Sequence, residues 1–167
     1  MTAYEPYVAA LFIGAGATFI QDLWNWLLFK LFKLPSMSFC LVGRWFSYMR
    51  LGVFRHQSIS KAQPQSAECW LGWLSHYLIG ITFALLLTLP NAGQWQHNPS
   101  LGMALLVGIG TVVMPFFLMQ PAFGLGIAAA KTPAPTKARV KSLLTHSVFG
   151  VGLYLSGCIF SMLSLSV

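Results

Sequence analysis

Four long apolar stretches, at 8–29, 67–89, 101–130 and 140–163, dominate this chain. Each is long enough to cross a hydrocarbon core, which takes about 20 residues of helix. Inside lipid every backbone N–H and C=O must find its partner within the protein, so such stretches fold as helices. Only 8% of the 167 residues are charged and 56% are hydrophobic, too little charge to coat a soluble globule of this size. The fold class that follows is an all-α membrane protein of four spans in a single domain.

The placement of charge says more than the net +7. Lys30, Lys33, Arg44, Arg50, Arg55 and Lys61 lie in the 30–66 loop, and Lys131, Lys137, Arg139 and Lys141 lie around the third connection. The other connection and both ends carry no Lys or Arg. By the positive-inside rule both basic segments are cytoplasmic and both termini periplasmic. A basic inner loop is the default of topology, so no nucleic-acid partner is expected. Residues 1–6 lack a basic n-region and the first apolar run is long, which predicts a retained span, not a cleaved signal. Cys40, Cys69 and Cys158 show no metal or disulfide spacing and read as packing residues.

Two stretches read nearly alike. Leu74-Ser75-His76-Tyr77-Leu78-Ile79-Gly80-Ile81 aligns with Leu144-Thr145-His146-Ser147-Val148-Phe149-Gly150-Val151 at an offset of 70, His76 onto His146. Such a repeat predicts two tandem helix hairpins related by a pseudo-two-fold axis along the membrane normal. Ser66 and Thr136 share the offset and are the expected N-caps of the second and fourth spans. Ala10, Gly14, Thr18 and Asp22 form an i, i+4 stripe that should face the bundle. Aromatic and basic residues alternate over 38–55, which predicts a cytoplasmic helix lying in the interface with its arginines beside lipid phosphates. The outer connection, 90–100, reads as a plain polar loop with His97 in solvent. Pro115 and Pro121 each remove a backbone hydrogen bond, so the third span should kink or break in its inner half.

At about 1.5 Å per residue, Asp22, His76, Gln120 and His146 all lie roughly 10–17 Å from the cytoplasmic ends of their spans. An ionised carboxylate at that depth is costly unless paired or hydrated. These four are the candidate ligand or proton site; Arg44, His56 and Glu68 are secondary candidates. The leading reading is small-solute or proton-coupled transport, or sensing, through a cytoplasm-facing polar cavity. One alternative makes His76 and His146 ligands of a haem or another metal, although no cofactor is expected. Another is a structural or interaction subunit whose Asp22 and His76 merely tie helices together. An enzyme is disfavoured, since no Ser or Cys nucleophile stands at a recognisable spacing.

The chain resembles a family of bacterial inner-membrane proteins known as domain of unknown function 2938. The likeness rests on Gly43-Arg44-Trp45, His56-Gln57-Ser58-Ile59, Glu68 with Gly72-Trp73 and His76-Tyr77, Pro115-Phe116, Met119-Gln120-Pro121, Lys131-Thr132-Pro133, and His146 with Phe149-Gly150-Val151-Gly152-Leu153-Tyr154. The resemblance implies four helices and a multi-pass inner-membrane location, and supplies no activity. The expected partners are the lipid bilayer and a small solute or proton. A four-span bundle has little interior, which makes a homodimer an expectation as well.

Overall fold

A computed structural model describes residues 4–34, 36–90 and 94–165, and its described residues contain helices and no strands. Residues 1–3, Asn91, Ala92 and Gly93 of the 90–100 connection, and the C-terminal Val167 lie outside them. In chain order the helices are α1 Glu5–Phe32, α2 Phe39–Met49, α3 Glu68–Thr88, α4 Gln94–His97, α5 Leu101–Gly110, α6 Gln120–Ala122 and α7 Pro135–Leu165. Four runs are long and apolar enough to cross a membrane: Glu5–Phe32, Glu68–Thr88, Leu101–Ala122 and Pro135–Ser164.

The third run is broken as its prolines predict, and it stops earlier than hydropathy suggests. After α5 the chain widens into a π-helix, Met114–Met119, in which Gln120 N–H donates to the Pro115 carbonyl five residues back. Pro115 and Pro121 have no N–H to offer, so the ordinary i→i−4 ladder cannot continue through them. The helix ends at Ala122, and 123–134 is turns and a short 3-10 segment, with Gly124 at φ +87° and Gly126 at φ +75°.

The described residues fall into two compact units. Unit 1 draws on Met1–Pro35, Tyr77–Thr111 and Leu144–Val167; unit 2 draws on Ser36–His76 and Val112–Leu143. The core of unit 1 is built from small residues: Ala9, Ala10, Ala17, Ala84 and Ala104, with Ile13, Leu87, Phe149 and Leu153. A Cβ on Gly14 would strike the backbone of Gly80 and Ile81, and one on Gly108 would strike Gly150. The stripe is buried at Ala10, Gly14 and Thr18, and Thr18 Oγ1 donates to the Gly14 carbonyl at 2.8 Å.

The connection between the second and third spans is not a plain loop. Residues 94–97 form α4, whose Gln96 is 1% exposed. His97 Nε2 stands 3.0 Å from Glu5 Oε1, and the His97 carbonyl accepts from Ser161 at 3.0 Å. His97 is therefore a tie between α4, α1 and α7 instead of a solvated residue.

In unit 2, α2 packs against the first turns of α3. Gly43 lies under the Glu68 carbonyl and Gly72 under the Phe39 carbonyl, so close that neither position has room for a Cβ. That approach sets Cys40 beside Cys69, and the two form a disulfide. The packing role read from sequence for this pair is thus corrected; Cys158 remains free. A separation of 29 residues gives no pairing signal, because the helix crossing brings the sulfurs together. The expected helix of the 38–55 segment is present, but Val42, Gly43, Arg44, Trp45 and Ser47 are buried in unit 2. The expected caps are also displaced. Leu71 N–H donates to Ala67, which has φ +58°, and Ala138 N–H donates to Ala134, so each helix starts away from Ser66 and Thr136.

Candidate functional site

Unit 2 holds two polar constellations with different fates. The first joins Arg44 and Glu68. Arg44 Nε donates to Glu68 Oε2 at 2.8 Å and Nη2 to Oε1 at 2.7 Å, a bidentate pair. Nη1 reaches the carbonyls of Ile59 at 3.2 Å and Ala62 at 2.9 Å, while Glu68 Oε2 also accepts from the Gln65 amide. The hydrogen bonds it donates to Glu68 hold the guanidinium above its ordinary range, against the cost of burial. Arg44 is 8% exposed, so it faces neither lipid phosphate nor an open cavity. Two secondary candidates are therefore brought together and saturated by each other and by loop backbone. Their role is to clamp 59–65 onto α2 and α3.

The second constellation is a cleft. His56 N–H donates to the Ala122 carbonyl at 2.8 Å and Ile59 N–H to the Phe123 carbonyl at 3.1 Å, which lays the 56–59 segment along the end of the broken third helix. Trp45, Ile59, Ala122 and Phe123 form the small core beneath it. Gly124 is pressed against the carbonyls of Gln57 and His56, where a Cβ would overlap both. Between these segments opens a cavity of about 510 Å³ lined by Arg55, His56, Gln57, Pro121, Gly124, Gly126 and Lys131. The stem of Lys131 runs over Gly126, and Arg139 Nε donates to the Ala128 carbonyl on the same turn. His56 Nε2 is buried beside the cleft with no hydrogen-bond partner.

The four residues read as a membrane site divide between the units. In unit 1, Asp22 is half-buried and accepts a hydrogen bond from the Tyr77 hydroxyl. His146 Nδ1 lies 2.8 Å from Thr111 Oγ1, which itself donates to the Gly108 carbonyl at 2.6 Å. The hydroxyl proton is thereby used, so the imidazole is assigned as the donor, protonated on Nδ1. In unit 2, His76 stacks on Phe39 at 3.8 Å and meets the edge of Trp73 at 6.0 Å. Gln120 is 7% exposed, and its Oε1 has no partner. Among the described residues no three of His, Cys, Asp and Glu gather at metal-binding distance.

Of the cleft residues, the sequence marked His56 as a secondary candidate and Arg55 as part of the basic loop that is the fallback site. Gln57 and Lys131 passed as motif letters or topology signals. The one hint was that both His56-Gln57-Ser58-Ile59 and Lys131-Thr132-Pro133 carry the family likeness while neither reads as a span.

A family described as protein of unknown function, DUF2938, matches residues 11–160. The chain belongs to this family. Most of the motifs that carry the likeness fall in unit 2, around the clamp and the cleft. No curated protein matches the chain, and no solved structure does.

Proposed function

We propose that this multi-pass membrane protein binds a small solute at the cleft of unit 2, for transport or sensing, from the cytoplasmic side of a bacterial inner membrane. The observation that carries the reading is the cleft itself, an open polar cavity at the point where the third span is interrupted. Broken helices and π-segments are a recurrent way to build binding sites at membrane proteins, since they free backbone groups where a ligand can use them. The positive-inside rule supports the orientation, because Arg55 and Lys131 come from the two basic segments.

The tandem-hairpin arrangement draws support from two close approaches. Gly80 and Gly150 are equivalent in the repeat, and each packs on a glycine of the preceding span, Gly14 and Gly108. A second reading covers Asp22 and His146 alone. Their pairing with Tyr77 and Thr111 favours a helix-tying role, worth about 0.6–2 kcal/mol per interhelical hydrogen bond. Proton coupling through Asp22, His76, Gln120 and His146 remains the proposal that Asp22→Asn tests: loss of a pH-dependent solute response with the fold retained supports coupling, and an unchanged response assigns Asp22 to packing.

The solute-binding reading is tested with Gln57→Cys in a Cys158→Ser chain, alkylated by a membrane-impermeant maleimide, the Cys158→Ser parent measured alongside. Labelling is expected in inside-out vesicles and not in right-side-out ones, and one class within a panel of inorganic anions, phosphate esters, amino acids and sugars should slow it saturably. A cysteine unreactive from both sides, or a panel in which nothing protects it, overturns the reading.

A further inference from the structure

Charge at the cleft is one-sided. The chain has three Asp and Glu side chains, and each is engaged elsewhere: Glu5 with His97, Asp22 with Tyr77, Glu68 with Arg44. None lines the cavity, whereas Arg55 and Lys131 do. Both side chains are exposed, and neither forms an ion pair or a hydrogen bond among the described residues. An anion is the partner that two such uncompensated cations attract, and the planar fork of Arg55 suits an oxyanion.

Size and lining narrow the class. The cavity of about 510 Å³ falls within the span of about 300–1,000 Å³ typical of small-molecule sites, so it has room for more than a bare oxyanion. Besides the two cations its walls are Gln57, His56, two glycines and one proline, a mostly polar lining that offers hydrogen-bonding groups and little apolar surface. The ligand body is therefore small and hydrophilic.

Resting on the solute-binding reading of this same cleft, we infer that it takes a small polar phosphate ester, with Arg55 and Lys131 as the groups that hold the phosphate. A free metabolite and a phospholipid headgroup present the same chemistry. Full-length protein in an uncharged detergent, at constant ionic strength set with chloride, is titrated with inorganic phosphate and glycerol 3-phosphate, and with glycerol as the neutral control, while its thermal midpoint is followed. Both phosphates should raise the midpoint saturably and glycerol should not. Arg55→Gln or Lys131→Gln should weaken the apparent affinity by about tenfold or more, the loss of one charge-assisted hydrogen bond. A Lys30→Gln/Lys33→Gln chain, with as much charge removed outside the cleft, should respond like the parent.

Nanodiscs separate the two sources. A phosphate response that persists equally in phosphatidylcholine and phosphatidylglycerol discs identifies a free solute. One abolished in phosphatidylglycerol discs, with the cleft variants alone losing the stabilisation given by that lipid, identifies a headgroup. An absent phosphate response, or an equal loss in the Lys30→Gln/Lys33→Gln chain, overturns the assignment. If another member of the solute panel still protects Gln57→Cys, the phosphate assignment falls and the solute-binding reading stands. If Gln57→Cys is unreactive from both sides, both fall.

Discussion

In unit 1 the helices meet where side chains are smallest, at Ala9, Ala10, Ala17, Ala84 and Ala104 and at the glycine approaches Gly14 to Gly80 and Gly108 to Gly150. In unit 2 the same kind of glycine approach, Gly43 to Gly72, is backed by a buried bidentate ion pair, a disulfide and loop backbone laid on a broken helix. The difference follows from what each has to satisfy. Regular spans have their backbone polar groups paired internally and gain little from hydrophobic burial among lipid tails, so close van der Waals packing holds them together. Unit 2 carries long stretches without helix, whose carbonyls need donors. Arg44 supplies them to Ile59 and Ala62, while Arg55 of the same loop stays exposed.

The contrast is broken most directly at Glu68. Glu68→Ala leaves Arg44 buried without its counter-charge and should cost about 3–5 kcal/mol of stability. Replacing both partners by Met should recover part of that loss. Thermal unfolding of the purified protein measures both, and an equally unstable double variant would place the loss in the loop carbonyls and not in the pair.

Next in size is the disulfide. Cys40 and Cys69 should resist alkylation until a reductant is added while Cys158 reacts at once, and reduction should lower stability by about 2–4 kcal/mol. Cytosolic thiols are kept reduced. With the predicted topology, cells quenched directly with an alkylating agent should therefore show both cysteines modified, the bond closing after lysis in the absence of reductant. Finding the pair already bonded in quenched cells would reverse the topology.

Gly14→Ala and Gly108→Ala probe unit 1. Each should cost about 1–3 kcal/mol by overpacking, yet leave phosphate affinity unchanged once the protein is folded. Loss of phosphate binding in either variant would erase the distinction drawn between a packing unit and a ligand unit. The smallest effect is expected at the tie between His97 and Glu5. His97 and Glu5 are 29% and 22% exposed, so Glu5→Gln should cost about 0.2–1 kcal/mol or less. A larger loss in thermal unfolding would make α4 part of the core of unit 1.

How far the molecule could be read beforehand differs between the same two units. The burial of Ala10, Gly14 and Thr18 was legible, since an i, i+4 stripe of small residues has one use in a membrane helix. The interruption at Pro115 and Pro121 was legible too, although its extent was not, because hydropathy continues to Ala130 after the helix has stopped at Ala122. At the site, Asp22 was read against His76, and no rule of spacing picks Tyr77, the residue after His76, as its donor. Arg44 carried the signature of an interfacial anchor and turned out to be a clamp, since 24 residues of chain separate it from Glu68.

By itself, then, the sequence determined the number of long apolar helices, the break at Pro115 and Pro121 and the sign of the charge on the two basic loops. These depend on transfer of each segment into lipid and on backbone groups that proline cannot supply. The tertiary structure alone decided which cations were consumed and which left open. Arg44 lies where the Gly43 and Gly72 crossing delivers it to a carboxylate, while Arg55 and Lys131 lie where Gly124 draws two distant segments together with no carboxylate between them. Pairing of that kind depends on distances between backbones far apart in the chain, which local periodicity does not encode.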